Sequence, residues 1–165
     1  MEDIHELPRI LRVAYFAMHR VSDAHFSKQG VTADQFVLLA CLAQHDAITQ
    51  QELARHAASD ASTVRAMLVI LEGRGLVVRE PHPVDSRARI VMLTRKGRGT
   101  FKRLLKSSGP IRQKMIAGFS PGELHRLLES LRRLITNIEV EKRGGSRKSV
   151  ASPLAAGTLS GKLPC

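Results

Sequence analysis

The sequence predicts a mainly α-helical protein that carries one small β-hairpin. Apolar residues recur at spacings of three and four over long segments at both ends of the chain, which is the pattern of amphipathic helices. Between residues 76 and 93, two short runs rich in Val, Ile and Leu flank a loop with two prolines, which is the pattern of a hairpin. With 165 residues, 43% hydrophobic and 25% charged, the chain has the length and composition of one globular domain.

The first predicted helix covers residues 4–28 and ends at Gly30. One of its faces is apolar at helical spacing, and Ile10, Val13 and Phe16 widen that stripe. A helix that is apolar over so much of its surface is buried on several sides, so this helix predicts a subunit partner. The apolar face itself consists of Ile4, Leu7, Leu11, Ala14, Met18 and Val21.

Three shorter helices are predicted next, over residues 33–45, 50–57 and 60–75, and Gly73 and Gly75 end the last of them. Capping signals mark their starts, because a hydroxyl or carboxylate before a helix accepts a free backbone amide. The capping residues are Thr32 with Gln35, Thr49 with Glu52, and Asp60. Two strands follow, at residues 76–80 and 89–93. These lengths are typical of a winged helix-turn-helix, in which the last helix presents its N-terminal turns to DNA bases.

The C-terminal part of the chain predicts two more helices and a tail. The first covers residues 95–117, with a kink or break expected at residues 107–110, where the sequence is Ser-Ser-Gly-Pro. The second begins at Ser120, which is followed by Pro-Gly-Glu, and extends to about residue 141. Residues 143–165 are rich in Gly, Ser, Ala, Pro and Lys, which predicts a disordered basic tail.

Positive charge is concentrated beside the predicted hairpin. The chain has 26 Lys and Arg against 15 Asp and Glu, a net charge of +11. Eleven of these bases, against four acids, lie between Asp60 and Lys106. A basic surface confined to one segment favours a polyanionic partner over a merely solvated surface. Aromatic residues make up only 4% of the chain, which argues against binding single strands by base stacking.

The start of the helix at residues 60–75 carries the candidate base-contacting residues. Val64, Leu68 and Leu71 share one face and should pack inward. Small side chains on the other face would let the helix backbone approach the major groove, and an arginine there can bind guanine or a phosphate. The outward-facing candidates are Ala61, Ser62, Thr63, Arg65 and Ala66.

The hairpin loop carries the second group of DNA-binding candidates, Asp85, Ser86, Arg87 and Arg89. Asp85 precedes Arg87 by two residues, so its carboxylate could hold the guanidinium at a fixed angle by charge-assisted hydrogen bonds. An arginine held in this way can enter a narrow minor groove, where the electrostatic potential is most negative. The alternative is an aspartate that shapes the turn beside a solvated arginine.

The chain resembles the MarR family of bacterial transcription regulators. The motifs that carry the resemblance are Asp60-Ala-Ser-Thr-Val64, Leu71-Glu-Gly-Arg-Gly-Leu76, Asp85-Ser-Arg87, Leu93-Thr-Arg-Lys-Gly97 and Ser120-Pro-Gly-Glu-Leu124. It covers residues 4 to about 142. The sequence departs from the family where relatives often carry charged side chains, since Val69 and Ile70 stand there; they could enlarge a pocket or pack on a neighbouring element.

The resemblance implies a homodimer that binds a pseudo-palindromic site on double-stranded DNA. It divides the chain into an N-terminal dimerisation helix at residues 1–31, a winged helix-turn-helix DNA-binding domain at residues 32–94 and C-terminal dimerisation helices at residues 95–142. It also implies a small-molecule pocket between the dimerisation region and the winged helix-turn-helix domain, which we call the winged unit. A repressor that a small ligand releases from DNA is therefore expected. The alternative is an architectural DNA-binding protein that has no effector.

Candidate ligand-binding residues come from the first helix and the start of the second. Basic and aromatic side chains lie close together there, a mixture that suits a small aromatic acid. The alternative is an interface helix with solvated bases. The candidates are Arg12, Phe16, His19, Arg20 and Phe36.

Other classes of function find little support in the sequence. Cys41 and His45 are four residues apart and could share a helix face, but no third metal ligand has a recognisable spacing. No nucleophile motif, phosphate-binding loop or pair of catalytic carboxylates is visible, so neither an enzyme nor a cofactor is expected. The two cysteines and the acidic N-terminus predict a cytoplasmic protein, and the longest apolar run, residues 36–43, is too short to cross a bilayer.

Overall fold

The computed structural model describes residues 3–144, with side chains described for residues 4–139. The described part of the chain divides into two compact units, with the boundary between Ala117 and Gly118. The first unit contains, in order, α1 (Asp3–Phe26), α2 (Ala33–Gln44), β1 (Ile48–Thr49), α3 (Gln50–His56), α4 (Ala61–Gly73), β2 (Val77–Pro81), β3 (Arg89–Leu93), α5 (Arg95–Ser107) and α6 (Gly109–Ile116). The second contains α7 (Pro121–Gly144). The predicted fold class, mainly helical with a small hairpin, is confirmed.

The predicted capping residues start the helices of the winged unit. Thr32 and Gln35 form a complete capping box on α2, and Thr49 and Glu52 form another on α3. Asp60 caps α4, because its carboxylate accepts the backbone amide of Thr63 at 2.8 Å. Its hydrogen bonds from the side chain of Ser62 and from Thr63 hold the pKa of Asp60 well below its usual range. These caps fix where α4 begins and therefore which residues its first turn exposes.

The small sheet has one strand more than the sequence predicted. β2 and β3 form the expected antiparallel hairpin, with Val77 opposite Leu93 and Pro81 opposite Arg89. β1 adds a third antiparallel strand on the other side of β3, giving the order β1-β3-β2. Ile48–Thr49 has only two residues, so it shows no alternation of apolar and polar side chains from which a strand could be recognised.

A single apolar core joins α2, α3, α4 and the sheet. The predicted inward face of α4 is fully buried in it, at Val64, Leu68 and Leu71. Leu38 and Leu42 of α2 reach the same core. Since interiors are close-packed, these elements hold one another in fixed positions. The other fully buried large side chains are Leu39, Leu53, Val91 and Leu104.

The base of the hairpin is bound to the end of α4 and the start of α5 at a junction around Thr94. The hydroxyl of Thr94 donates to the carbonyl oxygen of Gly75 at 2.7 Å, and the backbone amide of Thr94 donates to the carbonyl oxygen of Leu76 at 3.1 Å. The same hydroxyl caps α5 by accepting the amide of Gly97 at 2.9 Å. A Cβ atom on Gly97 would lie 1.9 Å from the oxygen of Leu76, so this position has no room for a side chain.

The ends of the long helices agree with the sequence in outline and differ in detail. α1 ends at Phe26, two residues before the predicted end, and a 3₁₀ turn at Ser27–Gln29 leads to Gly30, whose φ of 77° is the left-handed conformation that glycine adopts easily. The expected interruption near residues 107–110 is a complete break between α5 and α6. Pro110 has no backbone N–H, so it is accommodated in the first turn of a new helix.

α7 begins where the sequence predicted it and extends further. Glu123 accepts hydrogen bonds from the backbone amide and the hydroxyl of Ser120, at 2.8 and 2.7 Å, which lowers the pKa of its carboxyl. α7 ends at Gly144, beyond the predicted end at residue 141. The rest of the predicted basic tail, residues 145–165, lies outside the described residues. None of the helices in the described part of the chain has the length and apolar character of a membrane span.

Two glycines of α5 provide a matched test of the junction. Gly99→Ala meets no atom within 4 Å and should raise the free energy of unfolding by about 0.4–1 kcal/mol, because alanine reduces the entropy of the unfolded chain. Gly97→Ala must push the first turn of α5 away from Leu76. This substitution should lower the free energy of unfolding by about 1–3 kcal/mol. Urea unfolding of both variants measures the difference. Equal effects of the two substitutions would show that the Gly97 contact is unimportant.

Candidate nucleic-acid interface

The first turns of α4 form an exposed surface of small and polar residues. All five outward-facing candidates are exposed, namely Ala61, Ser62, Thr63, Arg65 and Ala66. The carboxylate of Asp60 accepts the hydroxyl of Ser62, which orders the start of this surface. Because the opposite face of α4 is fixed in the core, this exposed face is presented as a rigid surface. Its small and polar side chains suit the edges of bases in a major groove.

Val69 and Ile70 lie further along α4 and do not pack on a neighbouring element. Their exposed fractions are 54% and 50%, and neither lines the described pocket that the chain forms beside α1. Neither of the two roles that the sequence suggested for them, enlarging a pocket or packing on another element, is therefore seen.

The hairpin loop is held by hydrogen bonds to its own backbone. The ring nitrogen Nδ1 of His82 accepts the amides of Val84 and Asp85, at 3.2 and 3.0 Å. The carboxylate of Asp85 accepts the backbone amide of Arg87 at 2.9 Å, and its carbonyl accepts the amide of Ala88 at 3.0 Å. This arrangement makes the loop compact although Asp85, Ser86 and Arg87 are all exposed.

The predicted contact between the carboxylate of Asp85 and the guanidinium of Arg87 is wrong. Among the described ion pairs there is none between these two residues. The carboxylate binds the amide of Arg87 instead, because an aspartate side chain two residues before an amide closes an Asx turn. Asp85 therefore fixes the position of the Arg87 backbone, and the guanidinium is left without this partner.

An arginine-rich cleft lies between α4 and the hairpin. Its volume is about 420 Å³, and it is lined by Gln50, Arg65, Arg79, Arg87 and Arg89; we call it the arginine cleft. It thus brings the predicted DNA-binding arginines of α4 and of the hairpin together. Gln50 and Arg79 were not predicted from the sequence, because nothing in the local pattern of α3 or β2 distinguishes them from ordinary surface residues.

Glu72 of α4 is the acidic partner of the arginine cleft. Its Oε2 atom accepts hydrogen bonds from Nε of Arg79, at 2.9 Å, and from Nη2 of the same guanidinium. These bonds hold the pKa of the Glu72 carboxyl below its usual value, and the positive charges of Arg79 and Arg89 act in the same direction. The cleft therefore keeps a large excess of positive charge around one fixed arginine.

A second cavity lies beside α2, between α1, α2, α5 and α6. Its volume is about 290 Å³ and its wall is mostly apolar. His19 Nε2 and Asp34 Oδ1 lie 3.2 Å apart at this cavity, and Asp23 accepts the amide of Ala33 at 2.9 Å, so two contacts join α1 to the start of α2. The lining residues are Tyr15, Met18, His19, Ser22, Phe26, Ala33, Asp34, Phe36, Val37, Leu105, Ser108, Ile111, Arg112 and Met115.

Two of the five candidate ligand residues line this pocket and three do not. His19 and Phe36 are in its wall. Arg12, Phe16 and Arg20 do not line it. They are four residues apart and share one face of α1, whereas Tyr15, Met18 and Ser22 lie on the neighbouring face that borders the pocket. Arg12 instead places its guanidinium 5.2 Å from the centre of the Phe16 ring. The basic side chain that the pocket does contain, Arg112, comes from α6, which no pattern in α1 could indicate.

Cys41 and His45, the metal-binding pair considered in the sequence, are not part of a metal site in the described part of the chain. No group of three or more His, Cys, Asp or Glu side chains with metal-binding geometry occurs there. Burial raises the pKa of the Cys41 thiol, which makes it less reactive. His45 stacks on His56 of α3, with ring centres 4.6 Å apart.

Known proteins with the same fold and sequence pattern are DNA-binding regulators. The MarR family model matches residues 31–88. A transcriptional repressor of Pseudomonas putida, NicR, is 29% identical over 134 residues, which covers 81% of this chain and 85% of NicR.

Solved structures extend the similarity to about four fifths of the chain. A mutant of MarR from Escherichia coli, complexed with operator DNA, superposes with a TM-score of 0.73 and 26% identity, over 80% of this chain and 95% of the other. BpsR from Bordetella bronchiseptica, whose DNA binding is regulated by 6-hydroxynicotinic acid, gives a TM-score of 0.72 and 27% identity, over 78% and 98% of the two chains. The winged helix-turn-helix fold, the matched family model and these relatives together show that the chain belongs to the MarR family of DNA-binding transcription regulators.

Proposed function

We propose that this protein is a homodimeric repressor that binds a specific pseudo-palindromic site on double-stranded DNA and is released by a small ligand. The observation that carries the proposal is the pairing of two exposed elements, the first turns of α4 and the arginine-tipped hairpin, on the two sides of the arginine cleft. In this arrangement α4 enters a major groove and Arg87 reaches the adjacent minor groove. The candidate contact residues are Ala61, Ser62, Thr63, Arg65, Ala66, Asp85, Ser86, Arg87 and Arg89.

Exposed apolar surface supports the homodimer. On α1, Ile4, Ile10 and Val13 are 66%, 50% and 58% exposed. On α7, Ile135 and Ile138 are 55% and 54% exposed. So many exposed large apolar side chains along two helices favour burial against a second surface. A second copy of the chain offers an equivalent apolar surface. Residues 1–31 and 95–142 would then form the dimer, and each residue range 32–94 would bind one half-site.

The pocket beside α2 supports regulation by a ligand. Its wall combines aromatic and aliphatic side chains with Arg112 and the His19–Asp34 pair, which suits a small aromatic acid. α2 also packs against α4 in the core, so a ligand that displaces α2 would move α4 away from its groove. The regulation of BpsR by 6-hydroxynicotinic acid is a precedent in a structural neighbour.

An architectural protein that binds DNA without an effector is the alternative function. Its support is the strong basic character of the segment around the hairpin, which favours DNA of any sequence. The mostly apolar pocket favours the ligand-responsive repressor, since sequence-tolerant DNA binding does not require such a cavity.

The proposed DNA contact of the hairpin can be tested with Arg87 and Asp85. A duplex selected from a random-sequence pool by the wild-type protein serves as the probe, and we call it the selected duplex. Arg87→Ala should weaken its binding by about 1–3 kcal/mol. Asp85→Ala removes a negative charge near DNA, yet it should also weaken binding, by about 1 kcal/mol, because the amide of Arg87 loses its acceptor. Fluorescence anisotropy at fixed salt measures both values.

The double variant with Arg87→Ala and Asp85→Ala distinguishes a positioning role of Asp85 from an effect of its charge. Its loss of binding free energy should be smaller than the sum of the two single losses, since Asp85 acts through the position of Arg87. Val84→Ala, in the same loop and without a change of charge, is the matched control, because Val84 is 89% exposed and is not a candidate contact residue. Tighter binding by Asp85→Ala would mean that the carboxylate merely repels the DNA backbone, and an unchanged affinity of Arg87→Ala would contradict the proposed interface.

The ligand pocket can be tested with 6-hydroxynicotinic acid and benzoic acid as probes. An acid that binds should raise the thermal unfolding temperature and lower the affinity for the selected duplex. Val37→Trp fills the pocket from α2 and should abolish both effects while DNA binding persists. Gln44→Trp, on the same helix but outside the pocket wall, should keep the thermal shift. If neither acid changes DNA affinity, the effector-independent alternative gains support.

A further inference from the structure

The two grooves of a DNA duplex are separated by a sugar-phosphate strand. A protein that places a helix in a major groove and a hairpin in the adjacent minor groove must therefore straddle that strand. In this chain, the space between the two elements is the arginine cleft. The following inference rests on the proposed function, since it assumes that α4 and the hairpin bind neighbouring grooves.

The arginine cleft has the chemistry of a phosphate site. Four guanidinium groups, those of Arg65, Arg79, Arg87 and Arg89, converge on it. Among the described ion pairs, Glu72 is the carboxylate that binds a cleft arginine, so the positive charge of the cleft is only partly compensated. Guanidinium groups bind phosphate oxygens through two parallel N–H donors, which makes arginine the residue best suited to a phosphodiester.

Arg79 differs from the other three arginines because its side chain is held in place. It is 17% exposed, whereas Arg65, Arg87 and Arg89 are exposed residues. Its Nε and Nη2 atoms both donate to Glu72, which fixes the plane of the guanidinium and leaves three of its five N–H groups available. A donor that is already oriented loses less side-chain entropy when it binds its acceptor.

Gln50 adds an amide to the same wall. It is the first residue of α3, and its side-chain Oε1 is buried without a hydrogen-bond partner among the described residues. A buried acceptor beside several guanidinium groups indicates that the cleft is not fully paired within the free protein. Its amide group can also donate to a phosphate oxygen.

We propose that the arginine cleft holds the sugar-phosphate strand between the two grooves, with Arg79 donating to a backbone phosphate and Glu72 acting as its positioning residue. The contact carries no sequence information, since every phosphate is alike. It sets the register of the protein on the duplex, from which the α4 and hairpin side chains reach the bases.

The first experiment compares the selected duplex with a scrambled duplex of the same composition. Arg79→Gln should weaken binding to both by the same factor, roughly tenfold, as expected for a lost charge-assisted hydrogen bond. The slope of log affinity against log salt should become shallower by about one per lost phosphate contact. Arg9→Gln is the matched control, because Arg9 also pairs with a glutamate but lies on α1 outside the cleft; it should change neither quantity.

The sign of the Glu72 effect tests its positioning role. Glu72→Ala removes a negative charge near DNA, so simple electrostatics predicts tighter binding. Positioning predicts weaker binding, because the Arg79 side chain is released. Glu72→Gln keeps an acceptor oxygen and should restore part of the lost affinity. If the alanine and glutamine variants both bind more tightly than wild type, Glu72 is only a repulsive charge and this part of the proposal is overturned.

Methylphosphonate scanning identifies the phosphate directly, because it changes the DNA one phosphate at a time. Replacing single phosphates of the selected duplex by uncharged methylphosphonates should reveal one position per half-site at which wild type loses affinity and Arg79→Gln does not. If the loss of affinity caused by Arg79→Gln adds to the loss caused by the methylphosphonate at every position, the proposal is overturned. If Arg87→Ala also leaves affinity unchanged, the proposed function itself fails; if Arg87→Ala weakens binding and Arg79→Gln does not, only the cleft assignment fails.

Discussion

The close approach of Gly97 to the carbonyl oxygen of Leu76 is the contact on which the arrangement of the winged unit depends. No side chain fits at this point, so the first turn of α5 lies directly against the segment that joins α4 to β2. Thr94 closes the same junction, because its hydroxyl and amide bind the carbonyl oxygens of Gly75 and Leu76. The end of α4, the base of the hairpin and the start of α5 are thereby fixed to one another.

The proposed ligand pocket and the proposed DNA surface share one rigid element, α2. Asp34, Phe36 and Val37 on its first turns line the pocket, whereas Leu38 and Leu42 pack in the core that holds α4. Close-packed cores shift as units rather than deform gradually. A ligand that moves α2 therefore has a direct physical route to α4, and the contacts of α1 with the start of α2 are the first that it would disturb.

The sequence predicted the elements well and the contacts between distant elements poorly. Helix starts depend on local hydrogen bonds, so the boxes at Thr32 and Thr49 located α2 and α3 correctly. The strand at Ile48–Thr49 was missed, because its pairing with β3 is a long-range contact with no local pattern. The Asp85 contact was assigned to the wrong part of Arg87, since the tripeptide sequence does not show whether the carboxylate accepts from the backbone amide or from the guanidinium. The arginine cleft and the Arg112 side of the pocket depend on packing between separate elements, which periodicity does not describe.

Dimethyl sulfate protection of the selected duplex tests the central claim most directly, because the reagent methylates guanine N7 in the major groove and adenine N3 in the minor groove. If α4 and the hairpin straddle one sugar-phosphate strand, guanine N7 should be protected at the centre of each half-site, adenine N3 should be protected across the adjacent strand, and the pattern should repeat with two-fold symmetry. Arg87→Ala should restore methylation of adenine N3 while guanine N7 stays protected. Protection confined to one groove, or a single patch without symmetry, would contradict the account.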